Sequence, residues 1–234
     1  MNRPRVTAQH SFDPRDQRAL CSHHAYTTPG VEVSVSFDLH DHEAALEKKI
    51  PTLYQRDPDD RRFVTTDVTP GCEWVLAGEG TPTRKFDGTC TMRDDAGRWW
   101  ARREVKPGKT PPTGWRQVDH DETTGKRVGW EPIESSPFAK FHAEALLHLT
   151  RSHHGTYELI GPKINGNPES ADEHRLVPHG STHWTPEWVA DQDDPLAALI
   201  ERCRDEGWEG VVWHHPDGRM VKLKVRDLPE GWGR

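Results

Sequence analysis

Long apolar runs are missing from this chain of 234 residues. Nothing approaches the roughly 20 consecutive apolar residues that cross a bilayer, so an integral membrane protein is not expected. Met1-Asn2-Arg3-Pro4-Arg5 leads into polar sequence rather than an apolar stretch, so no secretory signal is expected. Cysteine is scarce: Cys21, Cys72, Cys90 and Cys203 are scattered, with no Cys-x-x-Cys spacing. That argues against a disulfide framework or a zinc knuckle, and for a reducing, cytoplasmic compartment. Positive charge is short as well. A formal net charge of −7 excludes a protein that coats nucleic acid by bulk charge. Any contact with nucleic acid must use a local basic patch.

What is present is polar sequence with aromatic anchors. Hydrophobic residues make up 32% and there are ten tryptophans, so the core is modest. The length suits one generous domain or two small ones. Residues 1–45 read as a separate N-terminal extension, and 46–234 as the main domain. Val31-Glu32-Val33-Ser34-Val35-Ser36-Phe37-Asp38-Leu39 alternates with the period of a half-buried strand, and a short helix is expected at 42–49. From about Ile50 the sequence is strand-like. Thr89–Arg93 and Arg98–Arg103 flank Asp94-Asp95-Ala96-Gly97, a hairpin pattern. Residues 104–133, rich in Pro, Gly and charge, are expected to form a long loop. Ser136-Pro137 starts a helix over 137–151 with Phe138, Phe141, Ala145 and Leu149 on one stripe. Gly155–Gly161 is a short buried strand. Asp194-Pro195 opens a second helix, lined by Leu196, Leu199, Ile200 and Cys203 and closed by Gly207. Glu209–Trp213 and Met220–Val225 flank His215-Pro216-Asp217-Gly218, a second hairpin. Strands outnumber helices without alternating with them, so the expected class is α+β with antiparallel sheets.

Four features carry chemistry. In Lys85-Phe86-Asp87-Gly88, an amine that is held unprotonated by nearby cations or a metal can act as a covalent nucleophile. A carboxylate two residues on shares its strand face, and glycine permits close backbone approach. The plainer reading is a surface Lys–Asp pair entering a turn. Lys222-Leu223-Lys224 puts two ammonium groups on one strand face, where they repel unless they meet an anion such as phosphate. Lysines guarding an exposed edge strand would look the same. Glu158 and Glu209 lie in or beside apolar runs, which is costly unless each is paired, hydrogen-bonded or metal-bound. A satisfied buried ion pair would serve equally. Over 84–109, eight basic residues face four acidic ones, including Trp99-Trp100-Ala101-Arg102-Arg103. The segment is thus basic in an acidic chain, and guanidinium forks suit phosphate oxygens. His23-His24, His40, His42, His153-His154 and His214-His215 do not stand with cysteines at finger spacing and read as turn or surface residues. His214 follows the Glu209 strand and could line a site.

In order along the chain, Lys-x-Asp-Gly, an arginine, a glutamate strand, Glu-Gly-Val-Val and Lys-x-Lys resemble the covalent nucleotidyltransferase superfamily of ligases and RNA capping enzymes. Lys85-Phe86-Asp87-Gly88-Thr89-Cys90, Trp100-Ala101-Arg102, Gly129-Trp130-Glu131-Pro132-Ile133-Glu134, Leu159–Pro168, Val177-Pro178-His179-Gly180 and Glu209–His214 point further. They closely resemble the ATP-dependent 5′-to-3′ RNA ligase family that includes vertebrate RNA ligase 1. The resemblance runs from about Ile50 to Trp232 and implies a nucleotidyltransferase (ligase adenylation) domain.

It also implies an RNA ligase that seals 5′-phosphate and 3′-hydroxyl RNA ends, as in RNA repair, through a covalent lysyl-AMP and an adenylylated RNA. Lys85 would take AMP from ATP. Asp87, Glu158 and Glu209 would hold ribose and a Mg²⁺ or Mn²⁺ ion, partly through water. Arg102 would contact phosphate, and Lys222 and Lys224 would grip the α-phosphate. Arg84 and Gly88 would complete the ATP site, and Arg103, Lys106, Lys163, Asn165 and Asn167 are candidates for RNA. The adenine stack is assigned to the strand near Leu176–His179. Residues 1–45 have no counterpart in the family pattern.

Two other readings compete. One is another lysyl-nucleotidyl enzyme, a DNA ligase or a capping guanylyltransferase. Those usually carry an OB-fold after Lys-x-Lys, whereas ten residues follow Lys224, so no C-terminal OB-fold is expected. The other is a non-catalytic RNA-binding module, which gives no reason for Glu158 and Glu209 in apolar strands. A monomer without membrane contacts is expected.

Overall fold

A computed structural model describes residues 49–232 apart from 123, 183 and 185. The extension expected over 1–45, with its strand at 31–39, lies outside the described residues, as does the helix expected at 42–49 except for Lys49. Eleven strands are described. They are β1 (Tyr54–Arg56), β2 (Val64–Val68), β3 (Thr81–Lys85), β4 (Thr89–Arg93), β5 (Trp99–Val105), β6 (Arg116–Asp121), β7 (Lys126–Pro132), β8 (Gly155–Ile160), β9 (Arg175–Pro178), β10 (Gly210–His214) and β11 (Met220–Lys224). Helices are few: α1 (Ala139–Leu146), α2 (Pro186–Ala190) and α3 (Pro195–Asp205). Among the described residues, no helix is long and apolar enough to cross a membrane.

Every ladder between these strands is antiparallel. A three-stranded sheet has the order β11-β10-β3, and a six-stranded sheet the order β6-β7-β5-β4-β8-β9. β1 and β2 form a separate ribbon. The mainly antiparallel character with few helices is therefore as the sequence implies.

Each sheet buries one face because its strands alternate. In the small sheet, Val211, Trp213, Val221 and Leu223 point into a core with Leu199, Ile200 and Cys203 of α3. α3 starts where Asp194 accepts a hydrogen bond from the Ala197 amide at 3.0 Å, with Pro195 in its first turn. In the large sheet, Tyr157, Leu159 and Leu176 pack with Ala145 of α1, flanked by Phe138, Phe141 and Leu149. The apolar stripes read from the sequence are the ones that pack here. α1 itself is shorter than expected. Ser136 caps a preceding turn, its hydroxyl accepting from the Phe138 amide at 2.9 Å, and regular helix begins only at Ala139.

Residues 104–133 depart from the expected long loop. They hold β6 and β7, joined by a tight turn through Gly125, whose φ is 66°. β6 is an edge strand open to solvent, so its charged sequence carries no apolar alternation to read. β7 is interior, and Trp130 and Glu131 are buried on it. The densest Pro- and Gly-rich text, Pro107–Gly114, belongs to the connection before β6.

His142 of α1 is buried against Trp99, with ring centroids 4.6 Å apart, and burial pushes its pKa down to about 4. The folded chain therefore keeps it neutral while the unfolded chain protonates near pH ~6.5. The stability this neutral ring contributes is complete above that pH and is lost as pH falls toward 4. At pH ~5 the loss should be about 2 kcal/mol. Urea unfolding at a series of pH values checks this: His142→Leu should flatten the acid limb relative to the parent chain.

Candidate active site

β3 and β4 belong to different sheets and are joined only by Phe86, Asp87 and Gly88. The Lys-x-Asp-Gly segment is thus the seam between the sheets. Beside it opens a cavity of about 220 Å³. One wall comes from Thr83 and Lys85 of β3, Val212 and His214 of β10, and Met220 and Lys222 of β11. The other comes from Cys90 of β4, Arg102 of β5 and Thr156 of β8, with His179 and Gly180 just after β9. Alternation explains the lining: in Met220-Val221-Lys222-Leu223-Lys224 the aliphatic residues face the core and the lysines face the other way.

Strand register gathers the charges. Gly210 lies opposite Lys85 on one side and Lys224 on the other. A Cβ at this position would lie 1.9 Å from the Leu223 carbonyl oxygen, so only glycine lets the three strands close here. Glu209, one residue earlier, is almost fully buried. One of its oxygens pairs with the Lys85 ammonium; the other accepts from Lys224 Nζ at 2.5 Å and from the Arg226 guanidinium at 3.3 Å. Burial works against the Glu209 charge, but Lys85 and Lys224 hold its pKa below the usual carboxylate value. Burial likewise opposes the charge on Lys85. Glu209, Glu158 and Asp87 outweigh it and raise its pKa, so the resting side chain is an ammonium ion. The sequence reading sought cations that would lower this pKa; without bound ligand the acids dominate.

Lys222 behaves in the opposite way. Burial, then the charges of Lys85, Lys224 and Lys49, push its pKa down to about 8. It makes no ion pair among the described residues. A half-buried ammonium facing a cavity with three like charges nearby carries a desolvation cost that these neighbours increase.

The seam is clasped from outside. Asn165 donates to the Gly88 carbonyl at 2.6 Å and to Asp87 Oδ1 at 3.3 Å. Glu169 accepts from the Asp87 amide at 2.8 Å and pairs with the Arg84 guanidinium. That guanidinium also lies over the rings of Phe86 and Trp208, at 4.3 and 4.4 Å. Arg84 therefore braces the seam. Gly88 allows close approach to a neighbouring strand: its Cβ would stand 2.3 Å from the Leu159 carbonyl, and its amide donates to Glu158 at 3.0 Å.

Across the large sheet, Cys90 is the register partner of Glu158, and Glu158 of Val177. Arg102, next in the same row, lies over the Trp130 ring at 4.9 Å. Glu158 is buried and accepts from His179 Nε2 at 2.8 Å. Burial, reinforced by the Glu158 charge, pushes the Cys90 thiol up to about 12.

Lys85, Arg102 and Lys222 thus line one cavity. Glu209 gathers Lys85, Lys224 and Arg226 at its edge, and Arg226 reaches Asp87 at 3.4 Å. Asp87, Glu158 and Glu209 do not form one cage: the group of three donor residues gathered within 4.8 Å, among the described residues, is Cys90, Glu158 and His179. Of the RNA candidates, Arg103 alternates to the opposite sheet face from Arg102, and Lys106 and Lys163 are exposed. The amide of Asn165 is taken up by the seam, and that of Asn167 by the Ala171 backbone. Sequence reasoning missed Glu169, His179 and Arg226. Arg226 continues the Lys-x-Lys alternation, and His179 stands in a quoted motif; Glu169 carried no signal.

The site is a cleft between two antiparallel sheets, lined by Lys85 and Lys222 and edged by buried carboxylates. The sequence model of the RNA ligase 1 family matches residues 143–234. RNA ligase 1 of Danio rerio is 35% identical over 138 residues, which cover 51% of this chain and 41% of that protein. RNA ligase 1 of Mus musculus is 37% identical over 82 residues, 33% of this chain and 25% of that protein. The Rattus norvegicus protein of the same name gives the same identity and coverage. The chain is thus similar to RNA ligase 1 over part of its length. The match spans between 25% and 41% of the length of these curated relatives.

Breaking the Arg84–Glu169 pair leaves a buried guanidinium without its carboxylate. Glu169→Ala should cost about 3 kcal/mol in chemical unfolding, and Glu169→Gln, which keeps an acceptor for the Asp87 amide, clearly less. Equal costs would show that the ion pair contributes nothing beyond the hydrogen bond.

Proposed function

We propose that this chain is an ATP-dependent RNA ligase that joins a 5′-phosphate to a 3′-hydroxyl through a lysyl-AMP on Lys85. The partial match to the RNA ligase 1 family supports a ligase acting on RNA. The observation that carries the mechanism is Lys222, an ammonium without an ion pair among the described residues that faces the same cavity as Lys85. Its desolvation is costly unless a phosphate occupies that space.

In the first step the Lys85 amine attacks the α-phosphorus of ATP. A phosphorus–nitrogen bond forms, and the bond to pyrophosphate breaks. Lys222 and Arg102 face the transferred phosphate and stabilise its developing charge. Lys85 must first lose its proton, which passes through its ion-pair partner Glu209 to water. In the second step a 5′-phosphate oxygen of RNA attacks the adenylyl phosphorus and returns the amine. In the third the 3′-hydroxyl attacks the activated 5′-phosphorus and expels AMP.

The carboxylates Asp87, Glu158 and Glu209 are hard oxygen donors at the cavity edge, which fits a Mg²⁺ or Mn²⁺ ion carried with phosphate. Asp87 and Glu209 are already partnered by cations, so they would hold it largely through water. When bound, such an ion supplies positive charge to the phosphate oxygens and to the neighbourhood of the amine. His179 and Gly180, which line the cavity beyond β9, are candidates to bound the adenine.

Incubation with ATP labelled at the α-phosphate, together with Mg²⁺ or Mn²⁺, should give an acid-labile protein adduct that Lys85→Ala abolishes. Lys222→Ala should lower the rate by about 10²-fold or more, in line with removal of one preorganised donor. Label appearing from GTP alone would replace this reading with a capping-type transferase. Equal sealing of an all-DNA nick would remove the RNA assignment.

A further inference from the structure

We propose that Cys90, Glu158 and His179 form a binding site for a soft divalent cation of the zinc(II) class in the wall of the cavity. The donors come from three separate places in the fold: β4, β8 and the residues after β9. Sheet register brings them together, because Cys90 lies opposite Glu158, and Val177, two residues before His179, lies on the other side of Glu158. Their thiol sulfur, carboxylate oxygen and imidazole nitrogen all lie within 4.8 Å of one another. Donors on a tetrahedral zinc ion stand about 3.5 Å apart, so side-chain shifts of about 1 Å close the set.

The imidazole is already aimed. Thr156 Oγ1 engages its Nδ1 at 2.8 Å, which leaves Nε2 directed at Glu158, 2.8 Å away. A hydrogen bond behind a ligating imidazole is the support such ligands need. The three donors also match in access. Cys90 is half-buried, Glu158 buried and His179 at the exposed rim, so an ion enters from the cavity mouth. Three protein ligands leave a fourth position toward the cavity, open to water or a phosphate oxygen. On binding, a metal–sulfur bond forms and the thiol proton passes to water. The sulfur sets this site apart from one for Mg²⁺ or Mn²⁺, which favour oxygen alone.

The assignment rests on the donors and not on the proposed ligation chemistry. Its consequence does rest on that chemistry: an ion held here withdraws Glu158 from the nucleotide site.

Titration of the full chain with Co²⁺, after removal of metal by a chelator, tests the site without ATP or RNA. The expected result is one tightly held ion per chain with a thiolate-to-cobalt charge-transfer band, displaced by Zn²⁺. Cys90→Ser should abolish the band. His179→Gln, a change at the rim that leaves the core intact, should weaken Zn²⁺ binding at least about tenfold while the thiolate band persists at high Co²⁺. Absence of the band in the parent chain, or its persistence in Cys90→Ser, would overturn the proposal. Failure of ATP labelling would leave these readings unaffected, so the two inferences can fail separately.

Discussion

Glu209 is a carboxylate removed from water and held between Lys85 of β3 and Lys224 of β11, with Arg226 at its rim. A buried charge of this kind is tolerable only if its partners arrive in good geometry. The partners arrive because Gly210, beside it, lets the outer strands close on β10 without a side chain between them. The central strand therefore sets the spacing of the two lysines. The charge relations follow: Lys85 is stabilised as an ammonium, Lys224 is spoken for, and Lys222 faces the cavity with no ion pair among the described residues.

The same alternation that builds the core builds the site. Val221 and Leu223 turn inward to α3, so Lys222 and Lys224 have to turn outward. Tyr157 and Leu159 meet α1, so Glu158 takes the opposite face, the one from which Thr156 lines the cavity. Two helices on the outer faces thus stabilise two sheets whose inner faces are free for polar chemistry. The cost of Glu158 in an apolar strand is offset by the Gly88 amide and His179.

Much of this was legible in the sequence because it repeats with a short period. The hairpins around Asp94–Gly97 and His215–Gly218, the stripe through Phe138, Phe141 and Ala145, and the Asp194-Pro195 helix start all emerged from local pattern. Charges that interrupt an apolar run, such as Glu158, also announced themselves. The β6–β7 hairpin did not, because a solvated edge strand has no apolar face to alternate. Glu169 did not either: it lies in an irregular loop, and its partner Arg84 is 85 residues earlier. The approach of Cys90 to His179 beside Glu158 depends on which strands are neighbours, and that is decided by the whole sheet rather than by any stretch of it. Absence of Cys-x-x-Cys spacing therefore said nothing about a donor set assembled across strands.

The seam of Phe86, Asp87 and Gly88 is short, and it is pinned at both ends by strands of different sheets. A linker of that length has no slack. Lys85 on one sheet is thereby held five residues from Cys90 on the other, so the two walls of the cavity are tied together at the position of the amine.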